Sequence, residues 1–235
     1  MTVPDILADP GAQNPGSDAY ARAGVDLAAR NTFVDRLKDV TRGSNPNVLS
    51  GVGGFGALYR LAGYRDPVLA SSTDGVGTKI RIAQIMGRYG TVGQDLVNHC
   101  VNDILTTGAH PLFFLDYVGS SDLPAETKLE VVGGLKRACD AHGCALIGGE
   151  TADMPDIYAS GDFDLVGFIV GVVERDHVID GSIVRDGDIL LGLPVTGLHT
   201  NGYTLVRKVF GIGVDGDPEE DRAKLAQWYE DLDAT

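Results

Sequence analysis

An acid, two glycines and a lysine fall within six residues of the segment Ser71-Ser72-Thr73-Asp74-Gly75-Val76-Gly77-Thr78-Lys79. Apolar runs, Val68 to Ala70 and Ile80 to Ile85, flank it on either side. That combination suits a polyphosphate with its metal ion. Asp74 can hold a divalent cation through oxygen. Lys79 can neutralise phosphate charge, and Gly75 and Gly77 let the backbone come close. The same composition also fits an ordinary glycine-rich turn with one charge at each end.

Four further acids, Asp95, Asp103, Asp116 and Glu150, lie near expected element ends or on the polar face of an expected helix. Carboxylates in a cleft without basic partners require a cation, and Mg²⁺ held by carboxylates and phosphate oxygens meets that need. Taken singly, each is equally explained as a cap, a turn residue or part of a solvated face. Gly51-Val52-Gly53-Gly54-Phe55-Gly56 lacks the preceding strand of a dinucleotide fingerprint, so a Rossmann site is rejected. It reads as a loop, free or able to close over a nucleotide. His199-Thr200-Asn201-Gly202-Tyr203 precedes a helix carrying Arg207 and Lys208. The amides of that helix start can face an anion, and His199 can act as acid or base near neutrality. The plainer reading is a helix capped by Thr200 or Asn201. His99, His110, His142 and His177 show no partner pattern and read as structural or exposed.

These residues need elements to position them. Apolar spacing predicts a helix across Val25 to Val40, a loop from Thr41 to Ser50, and a strand from Pro67 to Thr73. Thr91 to Thr107 gives the clearest helical pattern. Asp95, His99 and Asn102 share its polar face, Asp103 lies at the edge, and Gly108 marks the stop. A strand at Pro111–Val118, a helix at Pro124–His142 capped by Asp122, and strands at Cys144–Ile147 and Asp164–Val173 follow. Beyond Val178 come a strand at Ile189–Leu193, a helix at Asn201–Phe210, and an acidic helix at Asp217–Asp233 with Leu225, Trp228 and Leu232 on one side. The alternation argues for an α+β or α/β architecture. Three parts are expected: a flexible arm at 1–17, a domain at 18–175, and a second segment at 176–235 that is short for an independent core.

Composition narrows the function. The 235 residues are 43% hydrophobic, ordinary for a soluble protein, and carry a net charge of −14. Like-charge repulsion argues against nucleic acid or an anionic membrane as partner. An anionic substrate must therefore be held by local donors and metal. Three cysteines form no disulfide framework. Neither a signal peptide nor an 18-residue apolar run is evident, so the expected location is the cytoplasm.

Read together, several stretches resemble the phosphoribosylformylglycinamidine cyclo-ligase (AIR synthetase) family of purine biosynthesis. They are Tyr20 to Asp26, Gly51 to Gly56, Thr73 to Lys79, Cys100-Val101-Asn102-Asp103, Pro111 to Tyr117, Gly148 to Pro155 and His199 to Lys208. Their order and spacing run in register from about residue 18 to 211. The resemblance implies ATP and Mg²⁺ as cofactors, and ring closure of formylglycinamidine ribonucleotide through a phosphorylated formyl oxygen. It implies metal ligation by Asp74, Asp103 and Glu150, with Asp95 and Asp116 as further candidates. Phosphate contacts would come from Lys38, Gly53, Gly54, Phe55, Gly56, Gly75, Gly77, Thr78 and Lys79. Substrate would meet His199 and Asn201, and Lys79 and His199 are the candidates for catalysis. It further implies a homodimer whose N-terminal mixed sheets join in a shared barrel, followed by a C-terminal α/β domain. Family members run about a hundred residues further, so 176–235 is expected to be only the start of that domain. A sister enzyme of the thiamine-phosphate kinase or selenophosphate synthetase type is the alternative. A non-catalytic dimerisation or ATP-binding module is another.

Overall fold

The computed structural model describes residues 27–195, 197–213 and 217–233, with side chains for 30–227 of these. The expected arm at 1–17, the Tyr20–Asp26 stretch and the apolar side formed by Trp228 and Leu232 lie outside the described residues.

A four-stranded mixed sheet organises the molecule. Its strands are β3 (Pro67–Gly75), β4 (His110–Ser120), β5 (Ala145–Asp153) and β6 (Phe163–Glu174), in the order β3-β6-β4-β5. β6 runs antiparallel to both β3 and β4, whereas β4 and β5 are parallel. Parallel neighbours need a crossover, which α4 (Ala125–Ala141) supplies. A small antiparallel pair, β1 (Val48–Ser50) and β2 (Leu58–Tyr59), stands apart. α1 (Leu27–Thr41), α2 (Ile80–Met86) and α3 (Gly90–Leu105) complete the N-terminal part. α5 (Tyr203–Phe210) and α6 (Pro218–Asp233) follow it.

The core lies between one sheet face and α3 with α4. Leu96, Cys100 and Ile104 of α3 meet Phe114, Leu165 and Ile169, all nearly solvent-free. The helix comes close because β6 has glycines there. A Cβ at Gly167 would strike Phe114, and one at Gly171 would strike Ile104. α1 presents Phe33, Val34, Leu37 and Val40 inward, as their spacing predicts.

Several expected boundaries change. The Thr73-Asp74-Gly75 segment continues β3, because each residue pairs with β6 up to Gly75↔Val166. The turn proper is a 3₁₀ segment, Gly77–Lys79, and the following apolar run is helix α2. Gly148 to Thr151 likewise belongs to β5. Asp122 does not cap α4. Pro124 occupies that position, and Asp122 instead accepts from the Ser160 hydroxyl and the Gly161 amide. Gly202, at φ 87°, occupies the N-cap of α5, in place of Thr200 or Asn201. Residues 45–50 carry the short strand β1 within the expected loop. Ile189–Leu193 is not a strand: Leu190 and Leu191 are 96% and 89% exposed, with no neighbouring strand to pair with among the described residues.

Candidate functional site

The end of one strand and one helix face converge at the edge of the sheet. Asp74 sits near the end of β3, and Gly75 donates its amide to Asp74 Oδ1 at 2.7 Å. His99 and Asp103 lie one turn apart on α3, hence on one face. His99 Nε2 is 2.9 Å from Asp74 Oδ2, and its side chain is 11% exposed. Asp103 Oδ2 accepts from the Ser72 hydroxyl at 2.7 Å. One ligand atom from each of Asp74, His99 and Asp103 lies within 4.8 Å of the others. This oxygen-rich set, held by rigid elements, fits a divalent cation. Cys100 sits beside it, but burial first, then the Asp103 and Asp74 carboxylates, push its thiol up to about 12. It stays protonated and is no nucleophile.

The lysine end of the motif is close by. Lys79 is buried, and its ammonium lies 3.0 Å from Asp95 Oδ2 and 5.1 Å from the centre of the Tyr203 ring. The Thr78 hydroxyl meets that of Thr204 at 2.8 Å, which ties the 3₁₀ turn to α5. Lys79, Asp95, Asn98, His99, His199 and Tyr203 line a small cavity of about 120 Å³. His199 therefore reaches the Lys79 side of the site. Asn201 is exposed and lies outside the cavity lining.

Other expected residues gather elsewhere. A groove of about 730 Å³ runs between α1, α4 and β5, lined by Gly53, Gly54, Asp116, Lys128, Glu150 and Asp153 among others. The glycine loop borders it, and Gly53, at φ 115°, lies against the Lys38 side chain. Lys38 itself pairs with Asp35 at 2.9 Å. Phe55 is fully exposed. Glu150 is not brought to Asp74 and Asp103: β3 and β5 are opposite edges of the sheet, so the separation is about 14 Å across three strand spacings. Asp95 is engaged by Lys79 and not grouped with the cation set. Asp116 is buried, and burial raises its carboxyl to about 7. Of the three acids expected to hold metal, Asp74 and Asp103 are brought together, with His99 beside them, and Glu150 stands apart. His99 has no partner pattern in the sequence, because Asp74 lies on another element. Lys128, buried against Asp153, has no motif around it that marks it in the sequence.

The fold and this site define an α/β protein with a mixed sheet and an acid–imidazole–lysine cluster at one edge. Residues 53–173 match the family described as AIR synthase related protein, N-terminal domain. The chain belongs to that family. It is 55% identical over 193 residues to "Phosphoribosylformylglycinamidine cyclo-ligase" of Xanthomonas euvesicatoria pv. vesicatoria (strain 85-10), covering 81% of this chain and 57% of the relative. The like-named protein of Xylella fastidiosa (strain 9a5c) is 53% identical, with 81% and 55% covered. The chain thus spans little more than half the length of these relatives. Two solved structures share the fold at a TM-score of 0.50. Thiamine-monophosphate kinase from Stenotrophomonas maltophilia K279a is 20% identical, with 62% of this chain and 43% of that one covered. Hydrogenase maturation protein HypE in complex with ATP is 19% identical, with 68% and 44% covered.

Proposed function

We propose that this chain supplies the ATP-handling part of a cyclo-ligase that closes formylglycinamidine ribonucleotide to aminoimidazole ribonucleotide in purine biosynthesis. One observation carries the reading. Asp74, Asp103 and Lys79 stand at one sheet edge, in a chain 55% identical to proteins named for that reaction. ATP phosphorylates the formyl oxygen, an amine nitrogen attacks the same carbon, and phosphate leaves. Mg²⁺ at the two carboxylates would neutralise charge on the phosphates.

The chain's own residues do the positioning. Asp95 and the Tyr203 ring hold Lys79 in one place, so its ammonium is preorganised toward a phosphate oxygen. His199, which lines the same cavity, would hold or move a proton on the substrate side. Lys38 and the Gly53–Gly56 loop would close on phosphate from the far groove, and Glu150 would serve there as a further acid. In this reading residues 18–175 form the nucleotide-binding and dimerisation domain, and 176–235 open a second α/β domain. The protein works as a cytoplasmic homodimer whose outer sheet faces join. No helix among the described residues is long and apolar enough to cross a membrane.

The test is to mix the chain with formylglycinamidine ribonucleotide, ATP and Mg²⁺ and follow aminoimidazole ribonucleotide by chromatography. Product that requires both ATP and Mg²⁺ is expected. Metal-dependent ATP binding without product would replace this reading with a non-catalytic module. That second reading draws on the uncovered apolar run from Ile189 to Val195, 62–96% exposed at its large residues.

A further inference from the structure

We propose that His99 is itself a metal ligand, and that Asp74, His99 and Asp103 form a site preferring a transition divalent cation such as Mn²⁺ over Mg²⁺. The proposal rests on the metal–nucleotide reading for its two carboxylates and adds the nitrogen donor.

The geometry leads there first. Three ligand atoms mutually within 4.8 Å enclose a point no more than about 2.8 Å from each, so a small side-chain adjustment reaches coordination distance. His99 already meets one of the two acids: Nε2 lies 2.9 Å from Asp74 Oδ2, and the ring is nearly sealed from solvent. His99 and Asp103 are four residues apart on α3, an arrangement that lets one helix face chelate an ion. The supporting contacts are those of a prepared site. The Gly75 amide orients Asp74, and the Ser72 hydroxyl orients Asp103, each through one carboxylate oxygen. Outer partners of this kind fix ligands in place, and both acids sit on rigid elements.

Chemistry then selects the ion. Mg²⁺ takes oxygen donors and keeps several waters, and it gains little from an imidazole. Imidazole suits first-row ions such as Zn²⁺, Fe²⁺ and Ni²⁺, and Mn²⁺, at the weak end of that series, still takes a nitrogen donor more readily than Mg²⁺ does. Two carboxylates with one imidazole therefore give a donor set in which replacing the histidine should alter Mn²⁺ binding far more than Mg²⁺ binding.

The experiment uses the chain without nucleotide. Mn²⁺ binding is titrated by electron paramagnetic resonance, Mg²⁺ by competition, and nitrogen coupling to bound Mn²⁺ is read by electron spin-echo modulation. The wild type should show coupling from one directly bound imidazole nitrogen and at least about tenfold tighter Mn²⁺ than Mg²⁺ binding. His99→Gln should lose the nitrogen signal and weaken Mn²⁺ by about 10–100-fold while changing Mg²⁺ less than about threefold. Asp74→Asn should weaken both ions. Bound Mn²⁺ without nitrogen coupling in the wild type would overturn the proposal, and that measurement needs no variant to fold. So would parallel losses of both ions in His99→Gln, or no Mn²⁺ binding at all. Failure of the nucleotide reading looks different: the imidazole-bound Mn²⁺ persists, but ATP binds with neither metal.

Discussion

Lys79 shows how burial turns a residue type into a part. An exposed lysine would wander, but this one is enclosed by Asp95, whose carboxylate is 3.0 Å away, and by the Tyr203 ring. Asp116 is the opposite case. Its carboxyl is buried beside Gly149, where a Cβ would collide with it, and burial raises it to about 7. An unfolded aspartate releases its proton near pH 4. Between about pH 4 and 7 the folded chain therefore holds a proton that the unfolded chain has lost, and stability falls as pH rises through that window. Asp116→Asn should flatten the dependence, making the variant more stable than wild type at pH 8 by roughly 2–4 kcal/mol relative to the difference at pH 5. Urea melts at the two pH values check this, and equal differences at both would refute it. That Asp74, Asp103 and Lys79 gather near one end of β3 was legible as an expectation, because their types and their neighbours suit phosphate and metal chemistry. His99 was not, because its partner Asp74 lies on another element and no local spacing joins them.

At the scale of elements, the α3–α4 crossing is set by glycines. A Cβ on Gly93 would penetrate the backbone at Val131 and Leu135, and one on Gly134 would meet the Gly90 carbonyl. Gly134→Ala should therefore cost about 2–3 kcal/mol, since backbone cannot yield as a side-chain tip can. Thermal melts of the variant test it, and an unchanged midpoint would show that the helices part without cost. Gly133→Ala, which faces only the Arg137 guanidinium, is the matched control. The helices and strands around this crossing were readable from apolar spacing, and α1, α3 and α4 fall within a few residues of expectation. Strand ends were less readable: β3 and β5 run on through Asp74-Gly75 and Gly148 to Asp153, because partners on β6 and β4 pair with glycine as well as with valine. Ile189–Leu193 failed for the converse reason. Its apolar pattern is that of a strand, but a strand needs a neighbour, and among the described residues none lies beside it.

At the scale of the molecule, the sheet has one face covered by helices and one largely bare. Phe168 is 42% exposed at the centre of the bare face, level with Thr73 on β3 and Leu115 on β4. Leu69, on β3, is 60% exposed, and Val166 and Val170 flank Phe168 along β6. The β1–β2 pair screens only part of this surface, where Tyr59 packs against Phe113 with the rings tilted at 45° and their centres 5.4 Å apart. A second copy of the same face would bury what remains, as the expected dimer requires. Each chain carries −14, so association works against long-range repulsion that salt screens. The chain should therefore sediment at twice 24.8 kDa, more completely at 0.5 M than at 0.02 M salt. Phe168→Glu should yield a folded monomer, because the side chain points away from the core and its replacement costs the single chain little. Circular dichroism confirms the fold while light scattering reads the mass. A wild-type monomer at both salt concentrations, or a Phe168→Glu dimer, would leave the bare face without this role.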